Sequence, residues 1–173
     1  MSATFPTGVP ADGNVKVVWV PAIADQAAPK VAEVTAAGAL DITCGIVGGG
    51  FTTSADQTTT QDVRLCSRQV FEDLGDVSYS IEEIEYIITP QDSTANGENA
   101  IYNTLAPGTE GYIVVRWGKD FSTALASGDV VDVYHVRLGP QVKQAPERNT
   151  KLRARQRPYV TAPGASLDVA VSA

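Results

Sequence analysis

The chain has 173 residues, 43% of them hydrophobic, with 13 basic and 20 acidic side chains and a net charge of −7. That length buries a core without disulfide or metal staples, and the balance is that of one ordinary globular domain with arms. No run approaches the roughly 20 apolar residues of a membrane helix, the stretch MSATFPTGVPADGN lacks a signal peptide's basic start and apolar centre, and an acidic chain is a poor general binder of polyanions.

In chain order, residues 1–13 are rich in Pro, Gly and small polar residues and read as an N-terminal arm. The domain proper is expected over 14–161, with 162–173 as a C-terminal arm or edge strand. The β-branched and aromatic run NVKVVWV at 14–20 predicts a strand closed by Pro21. Pro29 and Gly38 bracket a short helix, because proline fits a first turn and glycine the position past the last. A strand follows at about 39–45.

The segment 45–62, GIVGGGFTTSADQTTTQD, offers no helical period and little alternation, so it reads as an extended loop. Ordering its roughly 18 residues costs about 1–2 kcal/mol each in backbone entropy. Its main apolar contributors, Ile46, Val47 and Phe51, return about 1.5–3 kcal/mol apiece when fully buried. The segment is therefore expected to stay mobile until another surface clamps it.

Strands are predicted at 63–71 and 76–90. In the second, Val77, Tyr79 and Ile81 hold one phase and Ile84, Tyr86 and Ile88 the other, which places a β-bulge near Glu82 and Glu83. A helix at about 94–106, capped by Ser93 or Thr94 and stopped by Pro107-Gly108, presents Ala100, Ile101, Thr104 and Leu105 on one face. Strands follow at 111–118, 129–139 and about 150–161. The final run SLDVAVSA either pairs on an edge or reaches a neighbour. Seven or so strands with two short helices give a mainly β fold, a sandwich or barrel with flanking helices.

Charge is concentrated in TKLRARQRP, 150–158. In a strand, Lys151, Arg153, Arg155 and Arg157 share one face. Cations two residues apart, roughly 6.6 Å, repel by about 0.6 kcal/mol in water, so something negative is expected opposite. Three readings stand open: a nucleic-acid patch, a solvated edge that discourages stray pairing, or a subunit contact meeting carboxylates such as Glu82, Glu83 and Glu85 or Asp129 and Asp132.

Candidate catalytic and metal chemistry is sparse. His135 stands alone among valines, which favours packing over metal ligation. Cys44 and Cys66 show no metal spacing and are expected as buried, reduced thiols in a cytoplasmic protein. The glycines lack a P-loop or dinucleotide pattern, and there is no G-x-S-x-G. Glu82, Glu83 and Glu85 suit an acidic stripe better than a glycosidase carboxylate pair. No enzyme activity and no cofactor are expected.

Taken in order, PKVAEVTAAGALDIT, the glycine-rich segment, RLCSRQVFED, ENAIYNTLAPGTEGYIVVRWG, GDVVDVYHVRLG and PERNTKLRARQRPYVTAPG resemble the major tail (tail tube) proteins of long-tailed bacteriophages, especially those infecting actinobacteria, over about residues 14–170. The resemblance implies a β-sandwich with a flanking helix, six copies of which join their sheets into a ring around a β-barrel bore. Rings stack into a virion tail around a tape-measure protein, meet tail terminator and tail-tip proteins, and pass double-stranded DNA without binding it specifically; no membrane is involved. In that family the long early loop reaches the adjacent ring, which here corresponds to Ile46, Val47, Gly48, Gly49, Gly50 and Phe51. Because DNA must not stick, Asp41, Asp62 and some of Glu82, Glu83 and Glu85 are expected to line the bore or its rims. Lys151, Arg153, Arg155 and Arg157 are expected in subunit contacts or outside. The alternatives are another virion part, such as a terminator or decoration protein, and a monomeric adhesive or carbohydrate-binding module.

Overall fold

Seven strands carry the fold among the described residues. In the computed structural model, which describes residues 5–92, 94 and 97–173, these are β1 (Val15–Val20), β2 (Leu40–Asp41), β3 (Ile46–Asp62), β4 (Phe71–Ile87), β5 (Glu110–Trp117), β6 (Val130–Lys143) and β7 (Arg153–Ala170). The helices are α1 (Val31–Val34) and α2 (Ala100–Thr104). The strands form one antiparallel sheet in the order β2-β1-β5-β6-β7-β4-β3. The fold is mainly β with two short flanking helices, as expected.

The sheet curls so that its two ends share a core. Val17 and Trp19 of β1 join Ile81, Ile84 and Tyr86 of β4, Ile113, Tyr134 and Val136 in one buried cluster, with Leu105 after α2 packed in. The alternate residues of β1, Val18 and Val20, are buried too, on the other face with Val114, Val131 and Val133 beneath Val34 of α1 and Val171. A strand buried on both faces reads as the unbroken apolar run seen in NVKVVWV. The entry to α1 is fixed by Glu33, whose carboxylate accepts the N–H of Lys30 at 2.9 Å and of Ala24 at 3.0 Å.

The bulge near Glu82 is present: Thr52 pairs with Glu83 and Thr53 with Ile81, leaving Glu82 unpaired. This slip keeps Ile81 and Ile84 both in the core.

Three local expectations are corrected. The segment 45–62 is almost wholly strand β3, paired with β4 along its length, because its threonines are β-branched and find a complementary strand. The glycines make a wide bulge in it: Ile46 pairs with Tyr86 and the next rung is Phe51 with Ile84. Gly49 has φ +77°, and a Cβ on Gly50 would lie 2.7 Å from the carbonyl oxygen of Glu85. Residues 63–70 are the hairpin's tip loop, with β4 beginning at Phe71.

The C-terminal segment pairs on one side only. β7 runs on to Ala170 and pairs with β6 through Val131–Val169 and Val130–Ala170, while its ladder to β4 ends at Gln156. The second helix is short, starting at Ala100 after Asn99, whose side chain accepts the Thr89 N–H at 3.1 Å. Thr94 does not cap it, and Ser93 lies outside the described residues.

Candidate functional site: the hairpin and the charged sheet face

β4 is bonded to β7 only over Ile84–Ile87, opposite Arg153–Gln156. Beyond that point β3 and β4 are laddered only to each other, and from Ala55 and Tyr79 outward they run as a two-stranded ribbon, with Val77–Tyr79 across a groove from residues 160–165 of β7. Eight residues of strand, Ala55 to Asp62, span roughly 26 Å. The ribbon has an apolar side. Ala55 faces Tyr79 and Gln57 faces Val77; a third bulge then brings Leu74 opposite Thr59, in phase with them. Tyr79, Val77 and Leu74 thus continue the face that carries Ile81 into the core, yet are 36%, 47% and 77% exposed. The reverse side is polar, with Ser54 against Ser80, Asp56 against Ser78 and Thr60 against Asp73.

The predicted contact element, residues 46–51, lies at the root of this ribbon. Ile46 and Phe51 pack against the core, Val47 is half-buried and Gly50 buried, so 46–51 anchors the hairpin, with Gly48 and Gly49 exposed at its base. The projecting part is 55–79, and its tip exposes Val63, Leu65 and Val70. β3 is the last strand of the sheet and keeps its outer edge free. An apolar ribbon with open backbone edges is a surface that another chain completes.

The arginine row forms as the alternation requires: Arg153, Arg155 and Arg157 point outward while Ala154, Gln156 and Pro158 are buried. Lys151 precedes β7 and is exposed. What lies opposite the row is β4 of the same chain. Arg155 stands across from Glu85 in the ladder. Arg153 reaches Glu85 at 2.8 Å and Glu147 at 3.2 Å, and Arg155 reaches Glu83 at 3.8 Å. Arg157 lies over the Tyr159 ring, 5.5 Å from its centre. Glu82 accepts hydrogen bonds from Ser54 at 2.7 Å and Ser80 at 3.0 Å, which hold its carboxyl below the usual range, with a smaller contribution from Arg157.

These acids and arginines share one sheet face and compensate each other. The five predicted acids are not brought together. Asp41 sits at the opposite end of the sheet, paired with Lys16 at 2.7 Å, and Asp62 pairs with Arg64 at 2.7 Å beside the hairpin tip. Asp129 and Asp132 are also occupied internally. Asp129 takes Arg116 and Lys119, each at 2.9 Å, and Asp132 accepts from the Trp117 indole at 2.8 Å and the Asp168 N–H at 3.0 Å.

His135 stacks on Tyr112 with ring centres 4.8 Å apart and shares a 3.0 Å hydrogen bond with Thr161. Cys44 and Cys66 are free, as expected, but both are exposed. The polar centre of the core was not foreseen. Gln156 donates to the carbonyls of Leu105 at 2.9 Å and Gly139 at 2.8 Å and accepts from the Tyr86 hydroxyl at 3.2 Å. Gln141 donates to that hydroxyl at 2.9 Å and to the Tyr102 carbonyl at 2.7 Å. The signal was available, because in RARQRP the glutamine holds the phase of alanine and proline.

No curated protein sequence matches this chain. Among solved structures, it is similar to a chain of the cryo-EM structure of the anti-feeding prophage (AFP) baseplate, 6-fold symmetrised. The TM-score is 0.52 with 10% sequence identity, over 93% of this chain and 94% of that one, a likeness of fold. Residues 2–173 match the family described as "Phage tail tube protein". The chain thus belongs to the phage tail tube protein family, as a structural component of the virion tail and not an enzyme.

Proposed function

We propose that copies of this chain assemble into rings, hexameric in number, and that the rings stack into the tube through which the phage genome is delivered. One observation carries the reading: the β3–β4 ribbon continues the core's apolar face by about 26 Å, with Val77 and Leu74 left 47% and 77% exposed. Neighbouring copies cover it in the tube, and the free edge of β3 joins an adjacent sheet. Stacking of this kind is heterologous and non-closing, so it grows as a filament whose length other components must set. A tape-measure protein inside, with terminator and tail-tip proteins at the ends, fills that need. Assembly takes place in the host cytoplasm.

DNA passage sets the electrostatics. A cation facing the bore recurs in every copy and adds affinity for phosphate. Here Arg153 and Arg155 are held against carboxylates of their own chain, and each copy carries net charge −7. We assign Glu82, Glu83 and Glu85 the task of neutralising the arginine row at the bore or its rim, with Asp41 and Asp62 as acids at opposite ends of the subunit.

Negative-stain electron microscopy of the purified, concentrated protein tests the reading. Stacked rings of uniform width are expected. A monodisperse single chain at every concentration overturns it.

A further inference from the structure

At the end of the sheet opposite the hairpin tip lies a cleft of about 610 Å³. The strand order β7-β4-β3 gives it two lips and a floor. Ile87 at the end of β4 forms the floor, and Lys151 and Leu152, just before β7, form one lip. Cys44 and Gly45 at the root of β3, with Ile101 of α2 and Glu98 just before that helix, form the other. The interior is mostly apolar and open to solvent, with Leu152 51% exposed. The lining holds one cation and one anion, Lys151 and Glu98, and they stand on opposite lips. They are not joined: the Glu98 carboxylate meets the Thr89 hydroxyl at 3.4 Å, and Lys151 makes no ion pair among the described residues.

We propose that the cleft is a jaw poised to close, in which Glu98 engages Lys151 at the rim while Ile101 and Leu152 meet over Ile87 and shield Cys44. Closure is a property of the single chain and does not depend on how copies assemble. Three features of the molecule support it.

The first is the gain on closing. Apolar surface on both lips leaves water, and opposite charges at the rim attract each other as it does.

The second is a lip that can pivot. α2 has five residues and is tied to the sheet at its C-terminal end. There Gln141 donates to the carbonyls of Tyr102 and Leu105 at 2.7 and 3.1 Å, and Gln156 to that of Leu105 at 2.9 Å. Asn99 gives the N-terminal end no side-chain cap, and a second cavity of about 270 Å³, lined by Asn99, Tyr102 and Asn103, undercuts the other flank. The facing lip is fixed, because the Leu152 carbonyl accepts the Ile88 N–H at 3.0 Å.

The third is where the pivoting lip rests. Ile101 lies against Gly45, the residue before β3, and a Cβ on that glycine would overlap the Ile101 Cδ1 atom. Movement of α2 is therefore felt at the root of the β3–β4 ribbon, since packed groups transmit displacement.

Cys44 supplies the test, because it is exposed in the open jaw and covered in the closed one. Cys66→Ser leaves it as the sole thiol, and its labelling by N-ethylmaleimide is timed on the dilute, dissociated chain. Glu98→Lys and Lys151→Glu each set like charges on the two lips and should each speed labelling about fivefold, the order of one surface attraction lost and one repulsion gained. The two together restore opposite charges and should return the rate to within about twofold of the parent. A direct effect of charge on the thiol would move the two single variants in opposite directions. That pattern overturns the proposal, as do unchanged rates or a swap that fails to restore the parent rate. Should a reversal unfold the chain, the pair Glu98→Cys and Lys151→Cys decides, placed in a chain that also carries Cys44→Ser and Cys66→Ser. Diamide takes two electrons and two protons from the two thiols as the S–S bond forms, and a linked 98–151 peptide is expected by mass spectrometry. Its absence overturns closure. Because every arm is read on single chains, failure here leaves the stacking reading where microscopy puts it.

Discussion

Arg153 places a guanidinium nitrogen 2.8 Å from the carboxylate of Glu85, bridging adjacent strands of one chain. The cation row that looks unpaired in the sequence is compensated before any partner arrives. Both side chains are about a quarter exposed, so the pair contributes roughly 0.2–1 kcal/mol to stability, and its main consequence is electrostatic shielding.

Glu83→Gln with Glu85→Gln should therefore change stability by less than about 1 kcal/mol yet confer affinity for DNA. Wild-type tubes should show none by filter binding at moderate salt. The double variant should bind at low salt, with log K falling by about 0.9 per decade of salt for each new phosphate contact. An unaltered, negligible affinity would show that this face does not meet DNA.

Gln156→Leu removes the donor to the Gly139 carbonyl and the acceptor of the Tyr86 hydroxyl while both stay buried. Each orphaned buried group costs about 1–3 kcal/mol, so the urea midpoint should fall clearly with the denaturant slope unchanged. The variant tests whether this glutamine joins α2 to the sheet or is a tolerated polar intrusion.

Acid should destabilise the protein through Asp129. Burial alone would raise its pKa, but hydrogen bonds from Lys119, Arg116 and the Ala126 N–H outweigh it and bring the group from 3.8 down to about 2. A depressed folded-state value means the stabilisation is complete above pH 3.8 and is lost as pH falls through about 2. Asp129→Asn should be less stable at neutral pH and show a flatter acid limb. At the other extreme burial lifts Tyr86 from 10 to about 12 despite the Gln141 hydrogen bond. Its contribution is complete below pH 10 and fades as pH rises through about 12, which Tyr86→Phe should flatten.

Leu74→Asp with Val77→Asp places two charges on the exposed apolar side of the ribbon. The isolated domain should melt within about 0.5 kcal/mol of wild type, because Leu74 and Val77 are 77% and 47% exposed in the single chain. Sedimentation should show the variant arrested as small species while wild type forms filaments.

Much of this was legible in the sequence. Strands β1, β4, β5 and β6 follow from β-branched runs, and the bulge at Glu82 from a phase slip. β3 was not legible because its threonines count as polar and its glycines suggest freedom. Both impressions change only when β4 is laid alongside, since pairing satisfies the threonine backbone and the glycines fit where the strands crowd. The arginine row was visible and Glu83 and Glu85 were among its candidate partners, but not that they lie in the same chain, because strand order determines that β4 lies beside β7. Gln156 was readable from its phase alone.

The central claim is that another copy covers the apolar side and open edges of the β3–β4 ribbon. Hydrogen–deuterium exchange on dilute, dissociated protein and on assembled filaments measures this directly. The account predicts that amides of residues 55–62 and 71–83 exchange rapidly in the dissociated chain and become strongly protected in the filament. Equal exchange in both states would contradict it.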